Sequence, residues 1–273
     1  MMSKIAIRGI LILVSFLGTW FLLKQVNWVG LVNINDIKEN RNIQKLEKEL
    51  GKMMISEFKS EAESVENPYV IQTIDSLVTR ICKPNQIDSE SIRVYIFKSP
   101  IVNAFALPDR QLVIYTGLIE KTETPEALSG VIAHELAHIE RKHVMESLIK
   151  ELGLGVLLSL ISGQSDLSIA TEIVQMVSSS AFSREMEKEA DLLGVDYLIE
   201  SQINPQPFAE LMKTFGKGEF SALKWIQSHP MSKEREEYIM EKARNAKVSF
   251  TEIISPSTWE SFKKEISSED DEF

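Results

Sequence analysis

Thirteen residues in the middle of this 273-residue chain, VIAHELAHIERKH (131–143), contain three of its four histidines. His134 and His138 are four positions apart, so on an α-helix they lie about 40° from each other and one turn apart, on the same face. Two imidazoles in this arrangement can bind one metal ion. Glu135 lies about 100° round the helix from His134, where it can reach water beside the metal but cannot complete a set of three ligands. The pattern therefore predicts a helical metal site whose remaining ligand comes from elsewhere in the fold.

The helix that carries these histidines is predicted to be buried. Thr124 is expected to cap it, Pro125 to occupy its first helical position, and the helical pattern to continue past His143. Apolar residues lie on both of its sides, which is typical of a buried helix. Two hydrogen-bonded core histidines are the alternative to a metal site, but they would leave Glu135 as an unpaired buried acid, which is costly. His143 should lie on the face opposite His134, and we expect it to be a structural hydrogen-bonding residue rather than a ligand.

The third ligand of a catalytic zinc site is expected to be a carboxylate from a separate helix. The segment SREMEKEADLLGVDYL (183–198) contains five acidic residues. At about 100° per residue, Glu187 and Asp191 fall inside the buried arc of this helix, and the other three acids fall outside it. Glu187 is therefore the predicted ligand, and Asp191 the predicted acceptor for the N–H of a ligand histidine. Stabilisation of acids by the dipole at a helix N-terminus is the alternative, and it accounts for Glu187 better than for Asp191.

The whole chain predicts an α+β fold that is mostly helical, with one small mixed or antiparallel sheet. β-Branched and aromatic residues are concentrated in SIRVYIFKS (91–99) and VNAFALPDRQLVIYTGLI (102–119), which predict three short strands. LGLGVLLSLISG (152–163) is too short to span a bilayer, and it predicts a core helix or a flap that faces membrane or substrate. Further helical patterns occupy 35–63, 69–81, 183–201, 204–215 and 232–245.

An apolar N-terminal segment predicts a single transmembrane helix. Lys4 and Arg8 precede GILILVSFLGTWFLL (9–23), which contains no charged residue, and a membrane span needs about 20 residues. The positive residues place the N-terminus in the cytoplasm and the main domain on the extracytoplasmic, periplasmic side. A cleaved signal peptide, which would leave a secreted or periplasmic protein, and a buried soluble helix are the alternatives, although no small-x-small cleavage site follows the apolar run. The predicted division of the chain is an anchor with a juxtamembrane segment at 1–32, a metal-site domain at 33–266 and an acidic tail at 267–273.

Composition narrows the classes of partner. The net charge of -10 and the pI near 5.1 argue against nucleic-acid binding, which needs clustered Lys and Arg. Cys82 is the single cysteine, so the sequence allows neither an intrachain disulfide nor a thiolate metal cluster. We therefore expect no nucleic-acid partner and a metal site made of imidazoles and carboxylates.

Together these motifs resemble the gluzincin metallopeptidases of family forty-eight, which include HtpX, BepA, the Oma protease and the CAAX prenyl protease. The resemblance rests on HELAH, EKEAD, VNAFALP, TGLI and SHPMSKER, and it covers most of the chain after the apolar N-terminal segment. The several membrane spans of HtpX and of the CAAX protease and the repeat domain of BepA are missing. The single-anchor, Oma-like members are therefore the expected nearest group.

The resemblance implies a zincin-like domain with one Zn²⁺ ion held by His134, His138 and Glu187, and with Asp191 as the aspartate partner of the glutamate. It also implies that Glu135 removes a proton from water while zinc polarises the peptide carbonyl. The expected activity is that of a zinc metalloendopeptidase.

Two further motifs have family counterparts. SHPMSKER contains a His-Pro loop, His229-Pro230, whose histidine could approach the zinc and hold the enzyme off, donate to the oxyanion, or have no role beyond the loop. Arg235 could also stabilise the oxyanion. Asn103, Ala104 and Phe105 match a family strand that pairs with an extended polypeptide substrate.

The expected function is that of a membrane-anchored zinc endopeptidase for misfolded or membrane-associated proteins, in protein quality control. The alternative is a self-inhibited or chaperone-like peptide-binding module with a structural zinc. Glu135 favours the enzyme, because a structural site needs no base beside its ligands. One departure from the family concerns the turn after the substrate strand, where Asp109-Arg110 stand after Pro108 in place of a Gly-Gly pair.

Overall fold

The computed structural model of this chain describes residues 41–161, 173–174, 176–177, 182–216, 224–230 and 232–270. The chain divides into two compact units, Met1–Gln44 and Lys45–Phe273, and all contacts given below lie within the second. No helix among the described residues is long and apolar enough to cross a membrane. The predicted anchor at 1–32 lies outside the described residues.

Helices precede and follow one small sheet, which confirms the predicted α+β class. Before the sheet lie α1 (Arg41–Glu61) and α2 (Pro68–Cys82). After it come α3 (Thr116–Lys121), α4 (Pro125–Arg141), α5 (His143–Leu152) and α6 (Leu154–Ile161). The C-terminal part contains α7 (Arg184–Glu200), α8 (Gln206–Gly216), α9 (Lys224–Ser228), α10 (Lys233–Arg244) and α11 (Pro256–Asp270). The bounds of α2, α7, α8 and α10 lie within two residues of the predicted ones.

The three predicted strands form one mixed sheet. β1 (Arg93–Phe97), β2 (Ala104–Leu107) and β3 (Gln111–Tyr115) are arranged in the order β1-β3-β2. β1 runs parallel to β3, and β2 runs antiparallel to it. Among the described strands, β2 therefore has one neighbour, and its other edge faces α4.

The turn between β2 and β3 explains how Asp109-Arg110 can replace two glycines. Both residues have positive φ, 64° and 57°, a backbone conformation that glycine adopts most easily. Side-chain contacts offset the cost. Asp109 pairs with Arg93, and Arg110 Nη2 lies 2.5 Å from Glu140 Oε1 on α4. The pair therefore keeps the turn tight and ties it to the central helix.

Helix α4 is the centre of the domain. Thr124 caps it by accepting a hydrogen bond from the Ala127 N–H, and Pro125 is its first residue, as predicted. Pro125 and residues 127–139 are buried, because α2, α7, α8 and two strands of the sheet pack against this helix. The predicted burial of the helix is confirmed.

The described part of Leu152–Gly163, α6, is a surface helix with Val156 and Leu158 exposed and Leu157 buried. The core-helix alternative for this segment is therefore wrong, and the flap stays a prediction. Helix α11 was not predicted. It packs against α2 and α3 and runs to Asp270, so the first four residues of the predicted acidic tail are helical.

Gly130→Ala is expected to lower the free energy of unfolding by about 1–3 kcal/mol, the usual cost of overpacking a core. A Cβ atom at this position of α4 would overlap the buried Phe208 side chain of α8, close to the backbone of that helix. Urea unfolding followed by circular dichroism measures the change.

Gly155→Ala in α6 is the matched control. No described atom lies within 4 Å of a Cβ added there, and alanine is favoured over glycine in helices by about 0.8–1.0 kcal/mol. The control should be as stable as the wild type or more stable. Equal unfolding curves for Gly130→Ala and the wild type would contradict the tight contact between α4 and α8.

Candidate metal centre

The centre lies where α4 meets α7. His134 Nε2 and His138 Nε2 are 3.0 Å apart on α4, and Glu187 Oε1 on α7 is 3.5 Å from His138 Nε2. All three residues are buried. Gly194 makes the approach of the helices possible, because a Cβ added there would lie 3.1 Å from the His134 backbone nitrogen. The structure thus brings together the three residues that the sequence predicted as ligands.

His229 supplies a fourth donor atom. Its Nδ1 lies 3.2 Å from His134 Nε2 and 2.9 Å from Glu187 Oε1. His134, His138, Glu187 and His229 form a group that could hold a metal ion, with donor atoms that all lie within 4.8 Å of one another. The His-Pro loop therefore lies beside the three predicted ligands.

The donor set suits a zinc ion in distance and in charge. Ligands held about 2.0–2.1 Å from a tetrahedral zinc are roughly 3.3 Å apart. Here the separations between donor atoms include 2.9 Å for Glu187 and His229, 3.0 Å for His134 and His138 and 3.5 Å for His138 and Glu187, and all lie within 4.8 Å. The acidic and basic residues buried in the described chain are Glu135, Glu187, Asp191 and Arg235. With neutral imidazoles, three carboxylates and one guanidinium leave two negative charges, which a divalent cation balances.

Asp191 supports His134 from the side away from the metal position. Its Oδ1 lies 3.0 Å from His134 Nδ1, which leaves Nε2 directed at the metal position. Arg235 donates to both Asp191 oxygens at 2.8 Å, and the Tyr238 hydroxyl donates to Oδ2. Burial raises the pKa of Asp191, but the contacts with His134 and Arg235 outweigh burial and lower the pKa to about 2. Asp191 therefore stays ionised, as an acceptor must.

The environment favours the protonation states that metal ligands need at His138 and Glu187, and it favours the protonated form at His134. Burial lowers the pKa of His138 well below its usual value, so this imidazole is neutral. Burial raises the pKa of Glu187, but His229 and His138 outweigh it and hold the pKa well below the ordinary value. For His134, burial lowers the pKa, but Asp191 outweighs burial and raises it. A cation at Nε2 of His134 would compete with that proton.

Glu135 lies between the donor group and the edge of β2. Its Oε2 accepts a hydrogen bond from the Ala106 N–H at 2.7 Å, and its Oε1 is 3.4 Å from His229 Nε2. The residue is fully buried, and burial raises its pKa. Glu135 is therefore held beside the ligands without being one of them.

The register of β2 decides which residues face its free edge. Asn103 O accepts from the Tyr115 N–H at 3.1 Å, and hydrogen-bonded pairs alternate along an antiparallel ladder, so Asn103 and Phe105 direct their main chain toward β3. Ala104 and Ala106 then direct theirs to the free edge. Of the three predicted substrate residues, Ala104 alone presents its main chain there, and Ala106 was missed because the register depends on the turn that follows.

Aromatic side chains cover the centre. Trp225 stacks on the His229 ring at a centroid distance of 4.1 Å and an interplanar angle of 23°, and Phe182 stacks on the His138 ring at 4.1 Å. The backbone fixes this cover, since the His229 N–H donates to Trp225 O at 2.7 Å and the Trp225 N–H to Val102 O at 3.4 Å. The donor group is consequently closed to solvent.

The predicted continuation of the helix past His143 is wrong. Lys142 has φ 60° and ψ 31°, in the left-handed region, so α4 ends at Arg141 and α5 begins at His143. The expected position of His143 opposite His134 is therefore wrong as well. Its Nδ1 lies 3.0 Å from Nδ1 of His138, although His143 is outside the donor group, as predicted. No Gly or Pro in this stretch signals the break.

Arg235 links the donor group to the His-Pro loop. Its Nη1 donates to the Pro230 carbonyl at 2.9 Å and lies 2.7 Å from Glu187 Oε2, while Nε and Nη2 bind Asp191. The side-chain nitrogens of Arg235 therefore contact Asp191, Glu187 and Pro230 and are not directed at an oxyanion position. Tyr238, which the sequence analysis missed, follows Arg235 by three positions on α10, a spacing that places both on one face.

The chain is similar in sequence to known proteases, several of which are named as metalloproteases or metalloendopeptidases. The chain is 29% identical over 152 residues to the mitochondrial metalloendopeptidase OMA1 of Arabidopsis thaliana, covering 55% of this chain and 31% of that protein. It is 22% identical over 205 residues to the beta-barrel assembly-enhancing protease of Escherichia coli K12, covering 69% and 42%. It is 26% identical over 167 residues to the metalloprotease LoiP of the same organism, covering 58% and 65%. The chain therefore spans from about a third to two thirds of the length of these relatives.

Residues 65–243, about two thirds of the chain, match Peptidase family M48. This range contains all four residues of the donor group and Glu135. The match confirms the resemblance inferred from the motifs, and the chain belongs to peptidase family M48.

Proposed function

We propose that this chain is a zinc-dependent endopeptidase. One observation carries the proposal: His134, His138 and Glu187 converge on one point, and Glu135 is held between that point and the free edge of β2. Peptide hydrolysis needs a base in this place, whereas a structural zinc site does not. Membership of the family and the metalloendopeptidase and protease relatives support the same chemistry.

The residues of the centre have separate roles in this proposal. Zinc held by His134, His138 and Glu187 would supply Lewis acidity, which polarises the scissile carbonyl and acidifies water. Glu135 accepts a proton from the attacking water and transfers it to the departing amine nitrogen as the C–N bond breaks. Its raised pKa suits both transfers, because a group with a pKa nearer the working pH can accept and return a proton. Asp191 keeps His134 oriented.

The substrate in this proposal is an extended polypeptide that pairs with the free edge of β2. Ala104 and Ala106 present their main-chain groups to that edge, and main-chain pairing accepts many sequences. Because the Ala106 N–H donates to Glu135 at 2.7 Å, a peptide that pairs with the other main-chain groups of this edge would lie beside the base. Extended chains of this kind are exposed in misfolded proteins.

Membrane anchoring and a part in protein quality control belong to the proposal. Support for anchoring comes from the uncharged segment 9–23 behind Lys4 and Arg8. We place the domain on the extracytoplasmic side, with misfolded or membrane-associated proteins as substrates and no nucleic-acid partner. The acidic composition agrees with the last point.

Self-inhibition is the second candidate, and His229 favours it. Four protein donors and no open position are typical of structural zinc, whereas catalytic zinc keeps one position open. His229 Nδ1 lies 3.2 Å from His134 Nε2, and Trp225 and Phe182 cover the centre. We propose that this arrangement is the closed state of the enzyme and that His229 leaves before a substrate binds.

Glu135→Gln is expected to lower the rate of casein cleavage by about 10²–10⁴-fold, the usual contribution of a general base. The amide oxygen can still accept from the Ala106 N–H, so the fold and the zinc content should not change. Cleavage of fluorescent casein and elemental analysis on the same samples measure both quantities. Cleavage at the wild-type rate would exclude Glu135 as the base.

Glu187→Ala is expected to remove a ligand, and purified protein should contain well under one zinc per chain and no casein-cleaving activity. Glu185→Ala, which removes an exposed acid from the first turn of the same helix, is the matched control and should keep both. Elemental analysis after dialysis against a weak chelator measures the difference. One tightly bound zinc in Glu187→Ala would refute the ligand assignment.

His229→Ala is expected to raise casein cleavage several-fold with one zinc still bound, because the fourth position then opens to water. The double variant with Glu135→Gln is the control and should be inactive. If activity disappears while zinc remains, His229 is an oxyanion donor instead. If zinc is lost and no cleavage appears in any variant, the site is structural.

A further inference from the structure

The two ligand histidines are supported by different groups. A neutral histidine that binds metal through Nε2 carries its hydrogen on Nδ1, and this N–H is usually donated to a carboxylate, a backbone carbonyl or water. For His134 the facing group is the Asp191 carboxylate, 3.0 Å away. For His138 the facing atom is Nδ1 of His143, also 3.0 Å away. The acceptor for this second ring is therefore another imidazole.

We propose that His143 is a positioning residue for His138. Its Nδ1 lone pair accepts the Nδ1–H of His138 and so fixes the tautomer and the orientation of the ligand ring. The inference rests on the metal site proposed above. His143 is 2% exposed, so solvent does not compete for this hydrogen bond.

The contact at the second ring nitrogen of His143, Nε2, favours the tautomer that this role needs. A neutral imidazole that accepts at Nδ1 carries its hydrogen on Nε2, and Nε2 of His143 faces Glu189 Oε2 at 3.4 Å. The second oxygen of Glu189 lies 2.8 Å from Arg141 Nε. His138 thus donates to His143, His143 donates to Glu189, and Glu189 pairs with Arg141 at the half-exposed end of this chain of contacts.

The break in the helix is what makes this contact possible. In a continuous helix, residues five apart point about 140° away from each other, so His143 could not face His138. Lys142 ends α4 in the left-handed conformation, and its Nζ is held by Glu47 Oε2 at 2.7 Å. The same residue that ends the helix therefore turns the next side chain back toward the ligand.

The test compares metal affinity in three variants of the full chain, purified in detergent and carrying Glu135→Gln to prevent self-cleavage. His143→Asn keeps an acceptor oxygen at the position of Nδ1, whereas His143→Gln places it one bond further out and His143→Ala removes it. Zinc affinity is measured by competition with a chromophoric chelator. We expect His143→Ala and His143→Gln to bind zinc about 10–100-fold more weakly than the parent protein, the usual effect of losing such a partner. The zinc affinity of His143→Asn should stay close to that of the parent.

Cobalt binding and metal-free stability separate positioning from packing. The Co²⁺ absorption bands should change in His143→Ala and His143→Gln and should match those of the parent in His143→Asn. The midpoints of thermal unfolding of the metal-free His143→Asn and His143→Gln proteins should be similar. Equal zinc affinity in all four proteins would overturn the inference, and so would two Co²⁺ ions per parent chain, which would make His143 a ligand. A parent protein that binds no zinc would instead refute the proposed function.

Discussion

The contact between α4 and α7 is the interaction on which the rest of the structure depends. It places two buried carboxylates of α7, Glu187 and Asp191, against His134 and His138 of α4. An unpaired buried carboxylate costs several kcal/mol, so the helices can pack this closely only because imidazoles, a guanidinium and the proposed cation compensate the charge. Gly194 supplies the necessary space. Core packing and the metal centre are therefore one feature, and a change that separates the helices affects both.

Much of this arrangement could be predicted because helices give residues a regular angular position. The spacing of His134 and His138 placed them on one face, and the buried arc of α7 selected Glu187 and Asp191 from five acids. The caps and bounds of several helices followed from local signals in the same way. In each case the determining information lies within one or two helical turns, which a sequence pattern can capture.

The parts that could not be predicted depend on backbone geometry without a sequence signal. Lys142 adopts a left-handed conformation that Gly or Asn usually adopts, so no residue in this stretch indicated that His143 would turn toward His138. Loop positions have no period, and the distance of His229 from the ligands could not be calculated. The main-chain direction of Ala106 required the register of β2, which the turn after it sets. The direction of His143, the position of His229 and the main-chain direction of Ala106 all depend on how segments are placed in three dimensions, which no local sequence pattern encodes.

The hydrogen bonds of Arg235 determine what can change when the His-Pro loop moves. Arg235 donates one side-chain hydrogen bond to the loop, at the Pro230 carbonyl, but it binds Asp191 through two nitrogens and lies 2.7 Å from Glu187. Moving the loop would break this hydrogen bond and the contacts of His229 with Glu187 and His134, whereas the charge-assisted contacts of Arg235 with Asp191 and Glu187, which are stronger than neutral hydrogen bonds, do not involve the loop. If His229 leaves the centre as proposed, Asp191 and Arg235 still hold His134 and Glu187 in their orientation. In the proposed closed state, the contacts of Arg235 with Asp191 and Glu187 are separate from His229, so the proposed opening need not release the metal.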